Sequence, residues 1–281
     1  MFMLDDLGID RILSGVATTT NDDQVLYRLS QLSDATIETT SETKDITDAQ
    51  GTIIKRFYRA KQGTLNANNA MLNLSILGAQ SGSGKQLATD DNVIVMPAIK
   101  VFAKPNGENK PVTLPGGDVV EGSVIVTRIA NNGTLAQDIM ADGTVAAKKY
   151  TASPTTAGAD TFMITGNQLT LPTDKDATQF EVVYKRKVKS GVAIVNKADA
   201  FPGTVHLILK ALAVDPCEAS KLRGVYIDIP SFQVSPDVNI QIGGTDTQQL
   251  AYNGNLQVDY CSSDKALYRV YVAEDDVEQI G

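Results

Sequence analysis

Tryptophan is absent from this 281-residue chain, histidine occurs once and cysteine twice. A lone His206 offers no second imidazole for a metal centre or an acid–base pair, and it reads as a strand residue whose ring finds a local partner. Cys217 and Cys261 are too few and too far apart for a disulfide framework or a four-ligand zinc site, so both read as reduced thiols. Aromatics make up only 6% of the residues, which leaves little from which to build a stacking groove for sugars. Long apolar runs are missing too: nothing approaches the roughly 18 residues of a membrane span. The first residues, MFMLDDLGIDRIL, lack the basic start and apolar core of a secretory signal. A soluble protein made in the cytoplasm and without membrane contact is expected.

An excess of base is also lacking. With 25 basic and 33 acidic side chains the net charge is -8, which argues against a general nucleic-acid binder. The acid pairs Asp5-Asp6, Asp22-Asp23, Asp90-Asp91 and Asp275-Asp276 are sequence neighbours, so their side chains diverge on a strand or helix. None sits in the glycine-containing loop of alternating acids that calcium needs. The run SGSGK at residues 81–85 invites a phosphate-loop reading. It fails because Ala79 and Gln86 stand where a glycine and a hydroxyl are required, and because an apolar helix-like segment precedes it. Lys185, Arg186, Lys187 and Lys189 form one dense basic run, read as a solvated strand edge guarded by lysines. No catalytic, cofactor or metal residues are predicted, and the chain is not expected to be an enzyme.

What the sequence does hold is β structure. After a short N-terminal arm, Val25, Leu26, Leu29 and Leu32 recur at helical spacing behind Asn21, although the same residues could begin a strand. Residues 36–80 carry three instructions in turn. An acidic, threonine-rich strand comes first, then the turn residues Asp48 to Gly51, then the basic strand TIIKRFYRAK. A helix is predicted over residues 66–80, with Ala67, Ala70, Met71, Leu74 and Leu77 on its apolar stripe and Gly82 and Gly84 ending it. Residues 1–50 hold ten acids and three bases, while Lys55, Arg56, Arg59 and Lys61 follow with no acid among residues 51–61. Such opposed patches suit both an intramolecular hairpin and a head-to-tail contact between copies.

From about Pro105 glycine, asparagine and proline clusters punctuate short strand-like runs, the texture of a small β-sandwich. We therefore expect a mainly β fold: a sandwich- or barrel-forming core over residues 1–103 and 191–281, with one or two flanking helices. A small inserted β-sandwich is expected over residues 104–190. Beyond it, residues 203–212 and 224–235 form strands, and residues 255–276 form two more.

Residues 38–83 resemble virion structural proteins of tailed bacteriophages, most closely their major tail tube proteins. Residues 164–188 look like the Ig-like β-module inserted in phage structural proteins, and residues 201–217 with 225–242 are similar to the closing strands of tube subunits. The resemblance implies a self-assembling subunit without cofactor, in rings of six stacked into a conduit for DNA that is not bound specifically. Sheath, terminator or baseplate proteins would be its neighbours in the virion tail. It also implies a stacking loop, whose counterpart by position is residues 39–51. Glu42, Lys44, Asp45, Asp48, Lys55, Arg56, Arg59 and Lys61 are the candidate interface residues. The alternative is a capsid-decoration or adhesin-type binding module.

Overall fold

A computed structural model describes residues 6–30, 32–105, 110–130, 134, 137–139, 143, 145–214, 216, 221–240, 250–258 and 262–278. The fold is mainly β. The chain begins with β1 (Gly8–Thr18), β2 (Val25–Leu29), β3 (Leu32–Thr47), β4 (Ile53–Asn69) and helix α1 (Leu74–Gln80). Next come β5 (Gln86–Ala88), β6 (Ile94–Ala103), β7 (Pro111–Thr113), β8 (Ile125–Ile129), β9 (Gln137–Ile139) and β10 (Val145–Ala147). They are followed by β11 (Lys149–Ala152), β12 (Thr161–Thr165), β13 (Gln168–Thr170), β14 (Gln179–Val188) and β15 (Gly191–Ala193). The last four are β16 (Thr204–Val214), β17 (Leu222–Val234), β18 (Leu250–Leu256) and β19 (Arg269–Glu278). Two compact units result, one from Met1–Lys85 with Ile194–Gly281 and one from Gln86–Ala193. Cys217 and Cys261 lie outside the described residues.

The first unit is one eight-stranded sheet in the order β2-β1-β16-β17-β18-β4-β3, with β19 also paired to β17. Strands β2 and β3 stand at opposite ends of that order, yet only residues 30 and 31 separate them in the chain. The sheet must therefore roll back on itself, and its inner side becomes the core. Strand β16 shows why: Val205, Leu207, Leu209 and Ala211 alternate inward, while His206, Ile208 and Lys210 stay half-buried on the other face. Leu29, Leu65, Ile229, Phe232 and Tyr252 join Val205, Leu207 and Leu209, and Ile76 of α1 completes the cluster, while Ala211 packs in a smaller one with Ala213 and Val225. At its heart the hydroxyls of Tyr27 and Tyr252 lie 2.8 Å apart, and burial pushes the Tyr27 phenol up to about 12 despite that bond. His206 finds the local partner expected of it, Asp228 at 2.6 Å, whose other oxygen accepts from Arg269.

The structure decides two segments that the sequence left open and corrects a third. The N-terminal arm is strand β1, paired with β16 through two register shifts. Gly15 lies so close to its neighbours that a methyl group there would come within 2.7 Å of a Leu209 methyl. Residues 25–29 are strand rather than helix, because Tyr27 and Leu29 face the core while Val25, Leu26 and Arg28 do not. The predicted helix over 66–80 splits: β4 continues to Asn69 between β3 and β18, burying Leu65, Ala67 and Asn69 at period two. Only residues 74–80 are helical, capped by Asn73, whose Oδ1 accepts from the amides of Ser75 and Ile76.

The second unit has a seven-stranded sheet ordered β6-β14-β8-β11-β12-β13-β7, around Tyr150, Phe162, Phe180, Val182, Tyr184 and Leu169. The basic run of residues 185–189 begins on β14, an interior strand, so the edge reading is corrected: the edge is β6. One buried carboxylate ties the unit together. Asp174 accepts from the Tyr150 hydroxyl at 2.6 Å and the Asp176 amide at 3.0 Å, with the Lys148 ammonium at 3.1 Å and the Arg128 guanidinium at 3.6 Å. Burial alone would raise its pKa, but the Tyr150 hydroxyl, the Asp176 amide and Lys148 outweigh that and hold it below the usual carboxylate range. At the ends of the unit β5 pairs with β15, setting Gln86 beside Ala193.

Candidate assembly interface

The hairpin of β3 and β4 is two structures in sequence. Near its base Leu32, Gly63, Leu65, Ala67 and Asn69 are buried in the rolled sheet. From residue 38 to residue 62 every side chain is exposed, so the far half is a ribbon with solvent on both faces. An isolated two-stranded ribbon is marginally stable in water, and one this long suits a surface that a partner covers.

The ribbon bends where it leaves the body. Thr40 pairs with Gln62 and Glu42 with Arg59, so Ser41 stands opposite both Ala60 and Lys61. This is a β-bulge, and Ala60 takes the left-handed conformation at φ 44° that costs a non-glycine residue roughly 1–2 kcal/mol. A second register shift near the tip leaves Ile54 as the extra residue. The tip itself is the turn expected from its residues. Asp48 Oδ1 accepts from the amides of Thr52 and Gln50, which holds its carboxyl below the usual range, and Gly51 adopts φ 86°.

All eight candidate interface residues lie on this ribbon: Glu42, Lys44 and Asp45 on β3, Asp48 in the turn, and Lys55, Arg56, Arg59 and Lys61 on β4. Within the chain Asp45 accepts two hydrogen bonds from Arg56, at 2.7 and 2.9 Å, and its carboxyl is held low by that pairing. Glu42 stands opposite Arg59, and Lys55 lies 5.2 Å from the ring centre of Phe57. The intramolecular hairpin is thus real, with acids facing bases across the strands.

Charge singles out these eight, and the mixed faces of TIIKRFYRAK, with Ile53 and Phe57 beside Lys55 and Arg59 and with Ile54 and Tyr58 beside Arg56, point to cover on both sides of the strand. Tyr58 is 71% exposed and Ile54 68%, and Ile46, Ile53 and Phe57 are exposed beside them. Outside the ribbon, the polar groups of residues 81–85 are used locally: Ser81 Oγ donates to Gly78, Ser83 Oγ to Val195 and Lys85 to Ser75. That run closes the end of α1.

Charge is divided unevenly. The second unit holds 11 acids and 11 bases, so the whole net charge of -8 belongs to the first, with 22 acids and 14 bases. Residues 38–62 carry four of those acids and five of those bases, which leaves the remainder of the first unit with 18 acids and nine bases.

No helix among the described residues is long and apolar enough to cross a membrane. No curated protein matches the chain. The YomU/Tube protein family matches it over residues 9–270, from the start of β1 into β19. The chain belongs to the YomU/Tube protein family, whose name points to a tube-like structural protein.

Proposed function

We propose that the chain is the tail tube subunit of a tailed bacteriophage, assembling into stacked rings that form the conduit for DNA ejection. The carrying observation is the exposed ribbon of residues 38–62, which has apolar side chains on a surface that no part of the described chain covers. Burying Ile46, Ile53, Ile54, Phe57 and Tyr58 against a neighbour contributes on the order of 1 kcal/mol each. A ribbon with a slight excess of base, leaving an otherwise acidic unit, complements the body of the next copy. Six copies to a ring, contacts with sheath, terminator or baseplate proteins, and a place in the virion tail belong to the same reading.

The acidity supports a conduit. Attraction of even ~1 kcal/mol per ring would hold DNA in place when multiplied along a stack, whereas an acidic lining lets it slide without specific binding. The reading assigns no catalysis. Negative-stain electron microscopy of purified protein should show rings or tubes. Deleting residues 45–48 should leave both units folded and stop elongation. Protein that stays monomeric at high concentration, or normal tubes from the deletion, would overturn the corresponding part.

A further inference from the structure

The second unit presents a long apolar edge. Strand β6 ends its sheet, and Val95, Ile99 and Val101 are 52%, 63% and 55% exposed on the face away from the core. Hydrogen bonds fix which backbone groups look outward. Lys185 O accepts from the Val120 amide, and the Lys187 amide donates to Asp118, so odd-numbered residues of β14 bond away from β6. The even-numbered residues of β14 therefore bond to β6, and their partners there are Ile94, Met96, Ala98, Lys100 and Phe102. The Lys104 amide donating to Thr178 O keeps the same phase. It follows that Val95, Pro97, Ile99 and Val101 direct their backbone groups to the open edge. Proline has no N–H, and Pro97 sits in the middle of that row.

We infer that Pro97 is a stop residue, closing the β6 edge to a second copy of this chain so that sheet-to-sheet joining is confined to the first unit. The end strands of the first unit's sheet, β2 and β3, contain no proline. A ladder on β6 would have to leave the carbonyl opposite Pro97 without a donor, dividing the edge into segments too short to pair well. The even-numbered residues are bonded inward, so a proline at 96 or 98 would have broken the sheet; at 97 it costs the fold no hydrogen bond. The inference rests on the tube-subunit reading only for the claim that copies associate elsewhere.

Restoring the N–H tests it. Pro97→Val and Pro97→Ala should each lower the concentration at which full-length protein associates by about tenfold in sedimentation velocity. The same change should appear when either substitution is made in the chain lacking residues 45–48. Adding Ile99→Lys should reverse it. Unchanged sedimentation of both Pro97 variants, with melting curves matching the parent, would overturn the inference. If the chain lacking residues 45–48 still makes normal tubes, the ribbon's proposed role fails, and the comparison of Pro97 variants with their parent still decides this one.

Discussion

Strands β3 and β6 both end a sheet, and both leave hydrophobic side chains of their neighbourhood in solvent, yet they differ in what lies beneath them. Ten of the sixteen residues of β3 run past its last half-buried residue, Ile37, into a ribbon with no core on either side. β6 lies against β14 for its whole length, above Phe180, Val182 and Tyr184. One edge has no proline and reaches away; the other is supported, apolar and interrupted by Pro97. Exposure by itself therefore does not mark a contact surface. What distinguishes the two is whether the backbone can still accept a partner and whether the fold already stabilises the strand.

If that comparison holds, stability resides in the units and association in the ribbon. The largest effect is expected at Asp174: its replacement by alanine should cost the second unit about 3–5 kcal/mol in chemical denaturation, since Lys148 and Arg128 lose their shared anion. Its pKa is lower folded than unfolded, so its contribution is complete above the unfolded value. It drains away as pH falls through the folded value, and acid should melt the second unit progressively below the ordinary carboxylate range. In the first unit, Tyr27→Phe leaves the buried Tyr252 hydroxyl without its partner, and a loss of about 1–3 kcal/mol should appear in the same measurement. A smaller change of opposite sign, up to ~1 kcal/mol, is expected for Ala60→Gly, which relaxes the bulge. Least of all, Asp45→Asn should leave the melting temperature where it was, because the pair with Arg56 is exposed. A large loss of stability there would blur the distinction between ribbon and core.

Much of this was legible in residue order. The turn at Asp48, the acidic and basic strands around it and the many short strands beyond Pro105 follow from turn chemistry and composition. Helix and strand were confused where apolar residues occur on both sides of a strand. In β2 the exposed Leu26 sits beside the buried Tyr27, so alternation in burial is hidden by continuity in hydrophobicity. Around residues 66–70 the small buried Ala67 and the polar buried Asn69 gave no period-two signal, and pairing on both sides decided for strand. Edge position is likewise not written in a strand's own composition, which is why the lysines of β14 misled. The candidate interface was legible through charge and through the mixed faces of TIIKRFYRAK; how exposed Ile54 and Tyr58 are was not.

The short ladder between β5 and β15 has a bearing on the order of folding. The first unit cannot complete its sheet until β16 returns to β1 across the intervening 86–193 segment. With that segment unfolded, the length-dependent part of closing the loop costs about 4 kcal/mol. Once the second unit has folded, Gln86 and Ala193 are already neighbours and the long loop behaves as a short one. The smaller unit thus acts as an internal splint, and a lesion such as Asp174→Ala should slow the folding of the first unit without touching any residue in it.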